Sequence, residues 1–229
     1  MISALIVAAG QGRRMGSARR KQYLPLSGRP ILTRTLQAFD MCSRVQQIIV
    51  VVPPSEIGFC ESEIVPAAGL DKKVKLIAGG NRRQDSVFNG LESIGEQAGV
   101  VLIHDGVRPL VSAALIDACI QGAEQWGACI PVLSSVETPK LINKRGIVAQ
   151  TVPRDQLGLA QTPQAFQLAL IRQAHAEAKR RGFEATDDAS LAEAAGIDVH
   201  VISGLRENIK ITTPEDLALA EILLERMRP

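Results

Sequence analysis

The sequence from Ala4 to Lys21 reads ALIVAAGQGRRMGSARRK and sets the expectation for the whole chain. An apolar run at residues 5–7 is typical of a short buried strand. Residues too small to obstruct a ligand come next: Ala8, Ala9 and Gly10. Gly12 and Gly16 then let the backbone turn sharply and approach a ligand, because glycine has no Cβ. The pattern predicts a strand followed by a ligand-binding loop.

Five cationic residues lie within nine positions of this loop: Arg13, Arg14, Arg19, Arg20 and Lys21. Backbone N–H groups and cations together suit a polyphosphate. The Rossmann fingerprint fails because Met15 stands where the third glycine should be, and the Lys-Ser/Thr pair of the Walker loop is missing. The glycines alone would fit a solvated surface turn, but the density of cations favours an anion-binding site.

Length and composition indicate a single globular domain spanning residues 1–229. Hydrophobic residues make up 46% of the chain and charged residues 22%, which is typical of a globular α/β protein. The net charge is only +2, so bulk charge does not indicate nucleic-acid binding. Aromatic residues make up 3%, too few for single-strand binding by base stacking. We therefore expect no nucleic-acid partner.

The cysteines and the apolar runs favour a cytoplasmic location. The cysteines show neither a C-x-x-C pair nor metal-ligand spacing, and we interpret them as reduced, mostly buried thiols: Cys42, Cys60, Cys119 and Cys129. We see no signal peptide and no apolar run of the ~20 residues that a membrane span needs. No membrane association is expected.

Apolar strand patterns alternate with helical patterns along the chain, which predicts an α/β fold: a Rossmann-like, mostly parallel sheet with helices on both faces. After residues 5–7, strands are predicted at 45–52, 74–77, 100–103, 128–133 and 199–202. Helices are predicted at about 31–41, 56–67, 84–94, 113–125 and 167–181, with a short one from about 188 to 195. Ligands of such sheets bind beyond the carboxyl ends of the strands. The loops after Ala9, Ile77, Ile103 and Leu133 should therefore lie together.

Two of these loops carry residues suited to a binding site. GGNRRQDSV at residues 79–87 reads either as a turn before a capped helix or as a loop closing on a ligand. HDGVRP at residues 104–109 places Asp105 and Arg108 at the carboxyl end of a strand, where side chains often function. An internal Asp–Arg pair that only braces the loop is the alternative interpretation.

The later part of the chain departs from the alternating pattern. Residues 136–153 alternate polar and apolar side chains around the turn at residues 144–146, which predicts a β-hairpin arm inserted within the domain. At residues 186–188, Thr-Asp-Asp is expected to cap a helix, with Asp188 in that role. Residues 208–213 are predicted to form a short strand that turns Lys210 away from its apolar neighbours. Thr213 and Pro214 should begin the last helix.

Several of these segments resemble the 2-C-methyl-D-erythritol 4-phosphate cytidylyltransferases. The matching segments are AAGQGRRM, KQYL, GGNRRQDSV, HDGVRP, TPQ at 162–164 and NIKIT at 208–212, so the resemblance spans nearly the whole chain. Four positions depart from the family pattern. Asn81 and Glu137 each replace a more usual Asp, and Gly-Val at 106–107 replaces an alanine pair.

The resemblance implies a cytidylyl transfer from cytidine triphosphate (CTP) to a polyol phosphate. It assigns catalysis to Arg14 and Lys21. It assigns nucleotide binding to Ala8, Ala9, Gly10, Gly12, Gly80, Asn81 and Ser86. It assigns positioning of the polyol phosphate to Arg154, Lys210, Thr138, Arg108, Asp105 and Thr186. Mg²⁺ would be held mainly by triphosphate oxygens and water, without dedicated protein ligands, and the 136–153 arm would form a homodimer.

Two other functions stay open from the sequence alone. A ribitol 5-phosphate cytidylyltransferase would differ mainly in its polyol and in having AGG rather than AAG at residues 8–10. A catalytically silent nucleotide-sensing module on the same fold is expected to lack the cations. Ala9 favours the methylerythritol phosphate enzyme over the first alternative, and Arg14, Lys21 and Lys210 argue against the second.

Overall fold

A mixed central sheet flanked by helices organises the chain. The structure is a computed structural model that describes residues 1–10 and 20–227. Its strands are β1 (Ile2–Val7), β2 (Pro25–Leu26), β3 (Arg29–Pro30), β4 (Gln47–Val52), β5 (Lys73–Ala78), β6 (Val100–Asp105), β7 (Ala128–Ser134), β8 (Lys140–Ile142), β9 (Val148–Thr151), β10 (Gly158–Ala160), β11 (Gln164–Gln167) and β12 (His200–Ser203). Its α-helices are α1 (Ile31–Asp40), α2 (Ile57–Phe59), α3 (Val65–Ala68), α4 (Arg83–Glu92), α5 (Ala113–Trp126), α6 (Leu168–Arg181), α7 (Asp188–Ala194) and α8 (Pro214–Arg226).

The apolar runs in the sequence become the parallel centre of this sheet, as predicted. β1 lies between β4 and β6 and pairs parallel with both, and β5 extends the sheet beyond β4. All six residues of β6 are buried, as expected for a strand covered on both faces. The strands predicted from residues 5–7, 45–52, 74–77, 100–103, 128–133 and 199–202 are all present.

An antiparallel insertion makes the sheet mixed. β11 pairs antiparallel with both β6 and β7, so it lies between two strands that are consecutive in the predicted sequence pattern. β10 also pairs antiparallel with β7, and β12 pairs parallel with it. β10 and β11 leave little sign in the sequence, because three or four residues are too few to show a period. The consequence is that the carboxyl end of β7 lies one strand further from β6.

Helices cover both faces of the sheet, as predicted. One face packs against α1 and α5, with Phe39 and Ile116 among its fully buried side chains. The other packs against α4 and α6, with Leu91 and Ile171 in the core. Consecutive β1 residues alternate between the two faces, as strand geometry requires. A third cluster anchors α8 through Ala220 and residues such as Leu26, Leu110 and Ile211.

Two predicted elements are wrong in detail. The helix predicted over 56–67 is a series of short pieces: a 3₁₀ turn (Pro54–Glu56), α2, a π-helical segment (Cys60–Ile64) and α3. Pro66 lacks the N–H that a continuous helix would use there, which interrupts regular hydrogen bonding. The strand predicted at 208–213 does not form, and those residues lack regular secondary structure. Thr213 does begin α8, since its hydroxyl accepts from the N–H of Asp216.

The predicted hairpin arm is present. β8 and β9 pair antiparallel, and Gly146 adopts a positive φ of 78° in the connecting turn. The arm protrudes, with apolar side chains exposed at Leu141 (54%), Ile142 (65%) and Val148 (55%). These strands pair with each other and with no strand of the central sheet among the residues that the structure describes. A two-stranded ribbon of this kind has marginal stability by itself.

Within the described residues, no helix combines the length and apolar character required to cross a membrane.

Close helix–sheet packing at Gly90 gives a stability prediction. A side chain at this α4 position would clash with the Leu5 methyl groups and come within 3.0 Å of Val51 Cγ2. Gly90→Val should therefore destabilise the fold by about 2–3 kcal/mol through overpacking. The measurement is the urea midpoint at unchanged m-value.

Gly58→Val is the matched control for this substitution. Gly58 is also helical, but it is exposed and has no atom within 4 Å of an added Cβ. Its free energy of unfolding should change by less than about 0.5 kcal/mol. Equal shifts for the two variants would contradict the packing described here.

Candidate active site

The carboxyl ends of β1, β4, β5 and β6 enclose a pocket of about 420 Å³. Its lining residues are Val7, Ala8, Ala9, Gly10, Arg20, Lys21, Gln22, Pro53, Pro54, Ser55, Gly80, Asn81, Arg82, Arg83, Ser86, Asp105, Val107 and Lys210. Three of the four predicted loops therefore meet. The loop after Leu133 does not join them, because β11 separates β7 from β6, and the loop after β4 takes part instead.

The first loop is shaped by a buried glutamine. The Gln22 side-chain amide donates to the carbonyl of Ala8 at 2.6 Å and to that of Gly10 at 3.3 Å. Ala8 also donates its N–H to Val51 O at 2.8 Å. These bonds fix residues 8–10 at the end of β1, beside Lys21. The predicted site residues Gly12 and Arg14 lie outside the residues that the structure describes.

The second loop packs directly on the first. A Cβ on Gly79 would lie 2.5 Å from Ala9 Cβ, so only glycine allows this approach. The Ser86 hydroxyl accepts from Gly80 N at 3.1 Å and donates to Arg82 O at 3.0 Å. Ser86, predicted to bind nucleotide, therefore holds the loop in shape, while the exposed Asn81 and Gly80 line the pocket.

Asp105 is the centre of charge in the pocket. Its carboxylate lies 2.9 Å from Lys210 Nζ, 3.5 Å from Arg108 Nε and 3.7 Å from Arg83 Nε. Burial by itself would raise the pKa of Asp105, but Lys210, Arg83 and Arg108 hold that pKa well below its ordinary value. Three cations around one carboxylate leave excess positive charge, which suits an anionic ligand.

Arg83 was not predicted as a site residue, although it lines the pocket. Its guanidinium Nη1 lies 2.8 Å from the Asp188 carboxylate in an ion pair, and Asp188 also lies 3.1 Å from His175 Nε2. Burial would raise the pKa of Asp188, but Arg83 and His175 lower it. The sequence signal was the Arg-Arg pair at residues 82–83, directly after a glycine pair at a strand end.

Asp188 does not have the capping role expected from the sequence. Asp187 is the N-cap of α7, accepting from Ser190 N at 3.0 Å. Asp188 is fully buried and instead holds Arg83. The two adjacent aspartates cannot be told apart by sequence pattern, because either could begin the helix.

Arg108 braces the site from beneath instead of lining the pocket. Its guanidinium is largely buried and donates to the carbonyl of Asn208 at 2.7 Å. Burial lowers the pKa of Arg108, although Asp105 opposes that change. This contact corresponds to the alternative interpretation of the Asp–Arg pair, in which the arginine supports its loop.

His104 is fixed as a neutral side chain beside the pocket. Its Nε2 lies 3.0 Å from Arg108 O, a carbonyl that can only accept, so Nε2 carries the hydrogen. Its Nδ1 then accepts from the Thr162 hydroxyl at 3.0 Å. Burial lowers the pKa of His104 to about 4. His104 is therefore unsuited to act as a general base near neutral pH.

Three predicted substrate-positioning residues lie away from this pocket. Thr138 is on the exposed arm, and Arg154 begins an exposed 3₁₀ turn after it. Thr186 lines a separate open groove together with residues such as Gln156 and Ser203. Within one chain, the structure thus brings Lys21, Asp105 and Lys210 together. Thr138, Arg154 and Thr186 do not join them.

The described lining of the pocket has few side chains that could coordinate the expected Mg²⁺. Among the residues that the structure describes, no group of three or more His, Cys, Asp or Glu side chains could form a metal site. Asp105 is the one carboxylate in the pocket lining given above. One carboxylate suits Mg²⁺ that takes its remaining ligands from phosphates and water.

Comparison with known proteins identifies the family. The model of the family described as "2-C-methyl-D-erythritol 4-phosphate cytidylyltransferase" (IspD) matches residues 2–226. A protein of that name from Pelotomaculum thermopropionicum is 42% identical over 224 residues, which cover 98% of this chain and 94% of the relative. The bifunctional enzyme IspD/IspF from Desulforudis audaxviator is 48% identical over 221 residues, which cover 96% of this chain and 56% of that protein.

Solved structures agree with these sequence matches. The crystal structure of 4-diphosphocytidyl-2C-methyl-D-erythritol synthase from Anaerococcus prevotii superposes with a TM-score of 0.88 at 33% identity, covering 98% of this chain and 96% of that one. The 2-C-methyl-D-erythritol 4-phosphate cytidylyltransferase of Thermus thermophilus gives a TM-score of 0.78 at 35% identity, covering 96% of this chain and 98% of that one. With sequence, fold and pocket in agreement, this chain belongs to the 2-C-methyl-D-erythritol 4-phosphate cytidylyltransferase family.

Proposed function

We propose that the chain joins CTP and 2-C-methyl-D-erythritol 4-phosphate to give 4-diphosphocytidyl-2-C-methyl-D-erythritol and pyrophosphate. The observation that carries the proposal is the cation-lined pocket at the carboxyl edge of the sheet, in a member of this family. The ribitol 5-phosphate alternative is not favoured, since the relatives reported above are named for the methylerythritol substrate.

The reaction needs no general base. A phosphate oxygen of the polyol attacks the α-phosphorus of CTP, the bond from that phosphorus to the bridging oxygen breaks, and pyrophosphate leaves. The attacking oxygen is already an anion near neutral pH. The neutral, fully bonded His104 is consistent with this requirement.

The barrier is electrostatic, because an anion attacks an anion. Fixed cations that face the developing charge lower such a barrier. Lys21 lines the pocket at the end of the first loop, and we assign it to the α-phosphate region. Lys210 reaches the same pocket from the far end of the chain and suits the incoming phosphate. Arg14 is assigned beside Lys21 by the family resemblance.

The second loop is the proposed cytosine contact. Gly80 and Asn81 line the pocket, where backbone groups and a side-chain amide can meet the edge of a base. Ser86 supports that loop through its two hydrogen bonds. Ala8, Ala9 and Gly10 lie opposite, with Gly12 assigned to the same surface by resemblance, and their small size leaves room for the nucleotide.

Asp105 is the residue that would contact Mg²⁺ in this pocket. When bound, the ion neutralises phosphate charge and favours departure of pyrophosphate. Asp105 also holds Lys210 and Arg83 in place, so its contribution does not depend on the metal alone.

We propose that the molecule is a cytoplasmic homodimer. The arm at residues 136–153 exposes strand edges and apolar side chains, which proteins usually cover. An arm that crosses a two-fold axis covers both copies at once. It would bring Thr138, and with it Arg154, to the pocket of the partner subunit. The described cysteines are free and buried, consistent with a reducing compartment.

We expect CTP to be preferred over the uridine, adenosine and guanosine triphosphates. We expect the second loop, through Gly80 and Asn81, to close on a pyrimidine, and a purine would need more room than that leaves. Pyrophosphate release should be measured with each nucleotide at saturating 2-C-methyl-D-erythritol 4-phosphate. Comparable turnover with adenosine triphosphate would contradict the assignment of the loop.

Lys21→Ala should lower kcat by about 10²–10³, since it removes one preorganised electrostatic donor. The KM for CTP should rise far less. Lys75→Ala is the control, because Lys75 reaches the carbonyl of Ser93 and does not line the pocket. Near-normal turnover by Lys21→Ala at saturating substrate would remove Lys21 from catalysis.

The shared-site dimer is tested by mixing two inactive proteins. One carries Arg14→Ala, and the other carries Thr138→Ala with Arg154→Ala. If each pocket draws on both subunits, exchange into heterodimers rebuilds one intact pocket and restores partial activity. Solution mass should be that of a dimer. A fully active monomer would refute the arrangement, and a dimer without complementation would return the arm residues to their own subunit.

A further inference from the structure

Lys210 lies on a segment that the sheet does not hold. Gly204 still donates to Val132 O of β7 at 2.8 Å, but residues 205–212 have no strand or helix, although a short strand was predicted around Lys210. Two of the backbone bonds here are local, from Asn208 N to Leu205 O and from Ile209 N to Glu207 O. A longer-range bond joins Ile211 N to Val107 O at 2.9 Å. Something else must therefore fix the segment just before Lys210.

A buried glutamine supplies part of that support. Gln161 is 5% exposed, and its side chain makes the pair of bonds to Leu205 that a neighbouring strand would make. Its Nε2 donates to Leu205 O at 2.8 Å, and its Oε1 accepts from Leu205 N at 3.1 Å. The same Nε2 lies 3.3 Å from Asn208 O. The Gln161 amide thus substitutes for a strand at two points of the segment.

A buried asparagine in the segment before Lys210 bonds back to the turn at 161–162. Asn208 is fully buried, and its Nδ2 donates to the carbonyl of Thr162 at 2.8 Å. The backbone carbonyl of Asn208 also accepts from Arg108 at 2.7 Å. The turn at 161–162 and the segment at 205–208 are therefore joined by two side-chain amides, each bonding to backbone of the other segment.

We propose that Gln161 and Asn208 are positioning residues that place Lys210 for the incoming phosphate of the substrate. This inference rests on the proposed function. Neither residue lines the pocket, so neither contacts substrate directly. Both act on Lys210 through the backbone at residues 205–208, which precedes it, and through the turn at 161–162, to which that backbone is bonded.

The chemistry of lysine explains why the placement matters. A lysine is a point charge on a flexible stem, so the site of its Nζ depends on where the backbone starts that stem. Nζ lies 2.9 Å from Asp105, and a shift of the segment would break that contact as well. Displacement of a positioned group by about 1 Å can cost up to about 10²-fold in rate.

The test is a double-mutant cycle between Gln161→Met and Lys210→Ala. Methionine keeps the length of glutamine but removes both hydrogen-bonding atoms. Gln161→Met should raise the KM for 2-C-methyl-D-erythritol 4-phosphate about tenfold and leave the KM for CTP within about twofold. In the Lys210→Ala background the same substitution should change kcat/KM for the polyol phosphate by less than about twofold. Asn208→Ala should behave alike if Gln161→Met does not fold.

A second readout needs no activity. Amide hydrogen exchange in residues 205–211 should quicken in Gln161→Met, because Leu205 N loses its acceptor. Gln37→Met is the control, since that amide also donates to a backbone carbonyl, Ala68 O at 3.0 Å, but in a helix contact away from Lys210. It should leave the KM values and the exchange of residues 205–211 unchanged.

The results separate this inference from the proposed function. A wild-type chain that releases no pyrophosphate from CTP and the polyol phosphate refutes the function. Suppose the wild type is active, and Gln161→Met lowers kcat/KM for the polyol phosphate equally in the wild-type and Lys210→Ala backgrounds. That result refutes positioning through Lys210. An equal rise in both KM values, or unchanged exchange in residues 205–211, also overturns it.

Discussion

The attraction between one buried carboxylate and three cations holds the candidate site together. Asp105 ends the most deeply buried strand, and its partners come from α4, from its own loop and from the segment before α8. A buried carboxylate left with no cation costs about 3–5 kcal/mol, so Asp105 depends on this set of cations once it is desolvated. The cluster therefore joins α4, the loop after β6 and the segment before α8, and its excess positive charge faces the pocket.

The parallel centre of the fold could be predicted because its strands are apolar runs followed by loops of small residues. β1, β4, β5, β6 and β7 each appear as such a run, and for the strands buried on both faces, such as β6, no other pattern is left. The hairpin arm and the cap at Thr213 were also predictable, since their signals are local. β10 and β11 were not, because a strand of three or four residues has no visible period. Their place in the sheet is decided by pairing partners far along the chain.

The site shows the same division. Lys21 and Asp105 follow strand ends and could be predicted from that position and from the family resemblance. Arg83, Gln161 and Asn208 could not, because their partners are Asp188, Leu205 and Thr162, 20 or more residues away in sequence. Lys210 was assigned through the NIKIT resemblance, but the short strand predicted to present it does not form. The side-chain amides of Gln161 and Asn208 make the contacts that a neighbouring strand would make, and such contacts leave no periodic pattern in the sequence.

The long separation between Asp105 and Lys210 has a consequence for synthesis on the ribosome. A chain grows at about 5–20 residues per second, so roughly 5–20 s pass between the emergence of these two residues. During that interval β1, β4 and β6 can already pair, while the carboxylate at the end of β6 lacks its closest counter-ion. The pocket's positive charge is completed only after Lys210 has been synthesised. The nascent chain should therefore acquire its affinity for triphosphate late, after most of the sheet has formed.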